Sequence, residues 1–207
     1  MGKLKTDNPI FDAIGKIGDI FILNLLWLVC SMPLITLGAS TTALFSVARK
    51  IVAQEPVRIA ADFFHAFRLS WKQATTLWLI LAALGAVAVI DLVTGLRTPG
   101  AEGNLFRGIG LVLLILWSGE AACAFSLLSR FEYRVFPLLR DAFLLSVRSI
   151  GVMLMSAFLL LWVPALAFVS PAAFLFVFPI WIFLGGAVSA LILCAMLRPV
   201  LQSPEGA

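Results

Sequence analysis

The sequence predicts an all-α protein that is a bundle of transmembrane helices, and two properties of the chain support this fold class. Of the 207 residues, 62% are hydrophobic and only 13% are charged, with a mean hydropathy of +1.07. Soluble domains are nearer half apolar and a quarter charged. The apolar residues also gather into runs of about 20, the length of a helix that crosses a bilayer. The lipid bilayer is therefore expected to surround this chain and to be one of its binding partners.

Six apolar runs follow one another along a single predicted membrane domain, residues 1–207. The second run, with "PLITLGASTTALFSVARK", contains Gly, Ser and Thr and ends at Arg49 and Lys50. Small residues allow transmembrane helices to approach closely, so "GASTTA" is predicted to be a packed, protein-facing surface. The alternative is a re-entrant segment, which leaves five spans. The six runs are Ile10–Ser31, Pro33–Val52, Gln73–Leu96, Leu105–Ser129, Ile150–Ser170 and Ala172–Leu197.

The basic residues indicate the orientation of the spans, because loops on the cytoplasmic side are enriched in Lys and Arg. With six spans, all of the 15 basic residues except Arg97 and Arg107 are cytoplasmic. A single crossing before Arg49 would move Lys3, Lys5 and Lys16 outside as well. The rule therefore favours six spans, with both termini in the cytoplasm.

Two polar segments, residues 53–72 and 130–149, are predicted to be cytoplasmic amphipathic helices. In the first, apolar residues recur every four positions, and basic residues flank them. Such a helix either lies at the lipid headgroups and packs on the bundle, or docks a partner. The candidate docking residues are Asp62, Phe63, Phe64, Phe67, Arg68, Arg130, Phe131, Glu132 and Arg140.

Glu120 is the most informative single residue, because it lies within an apolar run between Arg107 and Arg130. A charged side chain at the bilayer centre costs about 2.5–3.5 kcal/mol on insertion scales. Glu120 is therefore expected to face the protein, either as part of a proton- or substrate-linked site or as an acid that hydrogen-bonds between helices. The candidate polar residues within the membrane are Glu120, Asn24, Ser40, Thr41 and Thr42.

Several function classes find no support in the sequence. The single histidine, the three cysteines within apolar runs and the absence of a P-loop or G-x-S-x-G motif argue against a metal site, a cofactor and an enzyme. The net charge of +4 reports sidedness in a membrane protein and does not predict nucleic-acid binding.

The chain also contains a weak internal repeat. "GASTTALFSVAR" (Gly38–Arg49) resembles "GEAACAFSLLSR" (Gly119–Arg130), and "AFRLSWK" (Ala66–Lys72) resembles "AFLLSVR" (Ala142–Arg148). The predicted repeat unit is two spans followed by an amphipathic helix.

Three blocks resemble the YesL-like family of bacterial membrane proteins, a domain of unknown function: "GDIFILNLLWLVCSMPLITLGASTTALFSVARKIV", "DFFHAFRLSWKQATTLWLI" and "LLSRFEYRVFPLLRDAF". The resemblance covers residues 7 to 150. Genes of that family often lie beside carbohydrate ABC importers, so the resemblance implies a protein of the bacterial cytoplasmic membrane that assists sugar uptake. The alternative is a small transporter or channel with Glu120 in a polar path.

Overall fold

The computed structural model describes residues 9–130 and 134–202, and this part of the chain consists of helices joined by short turns and loops, without strands. The predicted all-α class is therefore confirmed. The seven helices are α1 (Pro9–Ser31), α2 (Leu37–Val52), α3 (Ile59–Arg97), α4 (Ala101–Leu128), α5 (Val135–Arg148), α6 (Ile150–Val169) and α7 (Pro171–Gln202), with a 3₁₀ turn at Leu34–Thr36 before α2.

Four of the described helices, α3, α4, α6 and α7, are long and apolar enough to cross a membrane, and α1 adds a shorter apolar stretch, Ile17–Ser31. The chain is therefore a multi-pass membrane protein. The count of six spans is not confirmed, because α2 has 16 residues and rises only about 24 Å, less than the bilayer core of about 30 Å.

The helix α3 joins most of the first polar segment to the span that follows it. Residues 59–72 of the predicted segment 53–72 continue without a break into the apolar run, in one helix of 39 residues, about 58 Å long. No Gly or Pro occurs between Ile59 and Leu84, so the change from polar to apolar composition does not interrupt the backbone. The helix ends before the Thr98–Pro99 pair, where a proline restricts the residue that precedes it.

The second polar segment behaves differently. Within residues 130–149, α5 begins at Val135 and ends at Arg148, and Ser149 leaves the helical conformation (φ −107°, ψ 64°) before α6 starts. The face of α5 that carries Leu138, Ala142 and Ser146 is buried against the bundle.

The helix α2 lies at the centre of the bundle, against α1, α3, α4 and α7. The residues of "GASTTA" are buried except for the half-buried Thr41, in agreement with the predicted protein-facing surface. A β-carbon at Gly38 would overlap the carbonyl oxygen of Ala74 and lie 2.6 Å from the β-carbon of Trp78. The glycine therefore allows α2 and α3 to approach closely.

The corner between α1 and α2 reaches only halfway along α3. The hydroxyl of Thr75 donates to the Ile35 carbonyl, so the corner lies beside residues 75–78 of α3. From Trp78, α3 continues for about 28 Å to Arg97. The corner exposes large apolar side chains, with Met32 78% and Leu34 73% exposed.

The internal repeat is visible in the packing. Gly119 of α4 contacts Ser146 of α5 and Met153 of α6, just as Gly38 of α2 contacts residues 74 and 78 of α3. In both cases a glycine eleven residues before an arginine lies at a contact too tight for a β-carbon.

Candidate functional site

Asn24 is a buried polar residue that joins α1 to α7. Its amide nitrogen donates to the Ile182 carbonyl, and its Oδ1 accepts from the Ala187 N–H, both at 2.8 Å. Gly186 makes room for this contact, since a β-carbon there would lie 2.8 Å from Oδ1. Asn24 therefore has a complete structural role as a link between helices.

The hydroxyls of α2 also bond within the first two helices. The Ser40 hydroxyl lies 2.6 Å from that of Ser31, and Thr41 accepts from the Trp27 indole N–H at 3.2 Å. Thr42 donates to the Gly38 carbonyl one turn back at 2.9 Å. Ser40 and Thr41 therefore join α1 to α2, whereas the Thr42 hydroxyl is satisfied within α2.

Glu120 makes no hydrogen bond to those four residues. Its side chain is half-buried in α4, and its carboxylate makes no hydrogen bond or ion pair within residues 9–130 and 134–202. The structure therefore does not join the five predicted intramembrane polar residues into one site: Asn24, Ser40, Thr41 and Thr42 bond elsewhere.

The sequence reasoning missed an apolar cavity of about 420 Å³ between α1, α2, α4, α6 and α7. Three tryptophans line it, Trp27, Trp117 and Trp181, together with the Gly185–Gly186 pair. The indole N–H of Trp117 donates to the Leu81 carbonyl at 2.6 Å, so this polar group is satisfied by the protein. Such a cavity suits an apolar group such as an acyl chain.

Glu120 does not line this cavity, although its neighbours Trp117, Ser118, Ala121 and Ala122 do. The sequence signal that could have located the cavity was a tryptophan in each of three apolar runs, together with a Gly-Gly pair in one of them. The periodicity of one helix at a time does not reveal it, because the lining comes from five helices.

The first group of predicted docking residues divides into two sets. Asp62 bonds to Lys50 of α2 at 3.0 Å and to the Arg58 N–H at 2.9 Å, and Phe63 is fully buried. These two residues hold α3 on the bundle. Phe64 and Arg68 are exposed, whereas Phe67 is half-buried, with its ring 6.3 Å from that of Phe63.

Of the second group, Arg140 is exposed on α5 and Arg130 is half-buried after the end of α4. Phe131 and Glu132 lie outside the described residues. Burial and the nearby charge of Arg49 lower the pKa of the Arg130 guanidinium below its usual value.

No cluster of three potential metal-binding side chains occurs in the part of the chain that the structure describes. Cys30, Cys123 and Cys194 are free thiols.

Comparison with known proteins gives one finding. No curated protein and no solved structure matches the chain. Residues 20–92, from α1 into α3, match the family described as "Protein of unknown function, DUF624", and this match agrees with the resemblance to the YesL-like domain of unknown function.

Proposed function

We propose that this membrane protein is a non-enzymatic accessory of a carbohydrate ABC importer in the bacterial cytoplasmic membrane. The resemblance to the YesL-like family supplies the carbohydrate importer as the partner. The observation that supports docking to a partner is an exposed surface at the start of α3. On this surface the apolar side chains of Phe64, Leu69 and Trp71 lie among the basic side chains of Arg68 and Lys72.

This surface, the α3 ridge, is suited to a protein partner. Lipid covers exposed apolar side chains in the spans, but a charged group in the bilayer core costs about 2.5–3.5 kcal/mol. Arg68 and Lys72 therefore place the ridge at or beyond the headgroups, where exposed aromatic residues and arginine are typical of protein interfaces.

The orientation of the ridge follows from a topology of four spans, α3, α4, α6 and α7, with α1 and α2 as a re-entrant hairpin. The apolar corner at residues 32–35, beside the middle of α3, supports this arrangement over six spans. The charge rule is satisfied equally well, since the same basic residues are cytoplasmic in both arrangements.

Cysteine labelling distinguishes the two topologies. With a membrane-impermeant thiol reagent, Leu34→Cys is expected to stay unlabelled from both sides, because the corner lies in lipid. Pro99→Cys, between α3 and α4, is expected to react from outside, and Lys5→Cys only from inside. Labelling of Leu34→Cys from outside would establish six spans, and an external Lys5→Cys would exclude both arrangements.

Co-purification in mild detergent, followed by mass spectrometry, tests the docking proposal. Two exposed leucines of α3 provide a matched pair: Leu69 on the ridge is 68% exposed and Leu79 in the apolar part is 58% exposed. Leu69→Ala is expected to reduce recovery of the importer, whereas Leu79→Ala is not. Recovery of the wild-type protein alone, with sugar uptake unchanged by its deletion, would refute the accessory role.

A second candidate function is a small transporter or channel, favoured by the half-buried carboxylate of Glu120 in a span, which has no hydrogen-bond or ion-pair partner within the described residues. In proteoliposomes, Glu120→Gln is expected to abolish flux of the transported ion or solute. Substitution of the exposed Glu102 at the start of α4, Glu102→Gln, is the control. Flux that persists in Glu120→Gln would eliminate this mechanism.

A further inference from the structure

Two arginines occupy corresponding positions in the repeat. Arg49 lies in the last turn of α2, and Arg130 follows the end of α4, each eleven residues after the glycine of its hairpin. The Nε atoms of both are buried and have no hydrogen-bond partner among the described residues. Buried donors in proteins are nearly always paired, so two orphaned guanidinium nitrogens at equivalent positions require an explanation.

The helices that carry the two side chains, α2 and α4, pack against each other and against α7. Burial and the positive charge of Arg49 lower the pKa of Arg130. The Sγ of Cys194 in α7 lies 3.8 Å from the carbonyl oxygen of Phe45, one turn before Arg49 in α2. The ends of α2, α4 and α7 therefore converge on one region, which we name the arginine pair after Arg49 and Arg130.

The neighbouring charges do not neutralise the arginine pair. Asp62, the carboxylate that contacts the end of α2, is already bonded to Lys50. Within residues 9–130 and 134–202, neither arginine makes an ion pair. Arg198 adds a further positive charge nearby, since its Nη1 donates to the Val52 carbonyl at 3.2 Å.

The helix dipole does not account for this arrangement. A cation near a helix C-terminus is stabilised modestly by the dipole, which explains why arginine is favoured at both positions. It does not explain why two like charges lie at the same end of the bundle with Nε–H groups that are buried and unbonded within the described part of the chain.

We propose that Arg49 and Arg130 together bind a phosphate group at this end of the bundle. A guanidinium presents parallel N–H donors that match two phosphate oxygens, and two such forks can hold one phosphate. This end is the predicted cytoplasmic one, so the group belongs either to the headgroup of an anionic phospholipid or to a soluble phosphorylated compound.

Thermal unfolding of the purified full-length protein tests the site, with two ligand arms. One adds phosphatidylglycerol to the micelles, against phosphatidylcholine, and the other adds inorganic phosphate, against chloride at equal ionic strength. At ligand concentrations of about 100 Kd, the midpoint is expected to rise by roughly 5–10 °C in one arm. A rise with phosphatidylglycerol alone identifies a lipid site, and a rise with phosphate identifies a soluble ligand.

Arg49→Gln and Arg130→Gln are each expected to remove most of this rise, while Arg140→Gln, an exposed arginine of α5, retains it. The Arg49→Lys and Arg130→Lys variants keep the charge but lose the fork, so they serve if the Gln variants do not fold, and weaker binding is expected. No rise in either arm, or an equal rise in the Gln or Lys variants, would overturn the proposal. The outcome does not depend on docking of an importer.

Discussion

The two repeated hairpins of this protein begin alike and continue differently. The first hairpin is α2 with residues 59–78 of α3, and the second is residues 119–128 of α4 with α5 and the start of α6. In each hairpin a glycine of the first helix lies in tight contact with the helix that follows. A half-buried arginine lies at the end of that first helix. The first hairpin feeds into an unbroken α3, whereas the second is interrupted at Ser149.

The sequences at this junction explain the difference. In the first hairpin "SWKQATTL" continues the helix with residues of good helix propensity, such as Lys, Gln and Ala. In the second, "SVRSIGVM" places Ser149 at a helix start and Gly151 two residues later. One short junction therefore decides whether the amphipathic segment and the following span share an axis or can differ in direction.

The strongest test of this difference between the junctions is to place proline at matching positions of the two. Ala74 and Ile150 are equivalent in the repeat alignment. Ala74→Pro removes a hydrogen bond from the interior of α3 and is expected to cost about 3 kcal/mol or more. Ile150→Pro occupies the first position of α6, where proline is tolerated, and is expected to cost less than about 1 kcal/mol.

Expression level and reversible unfolding in mixed micelles would measure both variants. Because the backbone change is the same, each variant is the control for the other. Equal destabilisation by the two prolines would contradict the assignment of a continuous and a broken junction.

The glycines at the two contacts should respond unequally to alanine. The β-carbon of Gly38→Ala would meet the Ala74 carbonyl, which cannot move without shifting α3, so we expect a loss at the upper end of about 1–3 kcal/mol. In Gly119→Ala it would meet the side chains of Ser146 and Met153, which can rotate, so the loss should be near the lower end.

Gly108→Ala on α4 is the control, since a β-carbon there has no neighbour within 4 Å. It should be neutral or stabilising by up to about 1 kcal/mol, because alanine is the better helix former. A loss in Gly108→Ala as large as in Gly38→Ala would show that helix propensity, rather than close contact, governs these positions.

The sequence predicted the features that depend on one helix at a time. Hydropathy located the apolar runs, and the small residues of "GASTTA" identified a buried face, because both patterns are local. The continuity of α3 was missed because composition changes at Lys72 while the backbone does not. The position of the corner at residues 32–35 beside the middle of α3 was not predicted either, since it depends on how neighbouring helices pack.

The candidate site was less accessible to sequence reasoning. Asn24 and Glu120 are both polar residues in apolar runs, yet Asn24 has complete hydrogen bonds and Glu120 has none within the described residues. Only the positions of neighbouring helices separate these two cases. The arginine pair was likewise hidden, because its residues are 81 positions apart in sequence and reach the same end of the bundle only after α2 and α4 pack together.

Asn24 tests a further difference between the two hairpins, namely which helices pack over each one. Through this side chain α1 fastens the first hairpin to α7. Asn24→Leu is expected to lower stability by about 1–3 kcal/mol, because the Ala187 N–H and the Ile182 carbonyl each lose a buried partner.

The control for this substitution is Asn104→Leu on α4. Asn104 is exposed, and its side-chain oxygen accepts a hydrogen bond from Arg107 at 3.3 Å. Its effect should lie within about 0.5 kcal/mol. If both leucine variants unfold at the wild-type midpoint, Asn24 is not the link that its hydrogen bonds indicate.

The smallest expected effect concerns the ion pair that only the first hairpin can form. Lys50 and Asp62 join α2 to α3, whereas the position equivalent to Asp62 in the second hairpin is the buried Leu138. Both charged side chains are about a quarter exposed, so solvent screens the pair and its coupling energy should be about 0–1 kcal/mol. A double-mutant cycle with Lys50→Met and Asp62→Asn measures this coupling directly.

Raising the salt concentration should weaken this coupling, since partly exposed charges are screened within about 10 Å at 0.1 M ionic strength. Asp141→Asn on α5, an exposed carboxylate, controls for general changes in net charge. A coupling energy of several kcal/mol that does not respond to salt would mean that Lys50 and Asp62 are shielded from solvent. In that case the first hairpin would be held by a buried ion pair, and the packing of Gly38 against Ala74 would no longer be its principal contact.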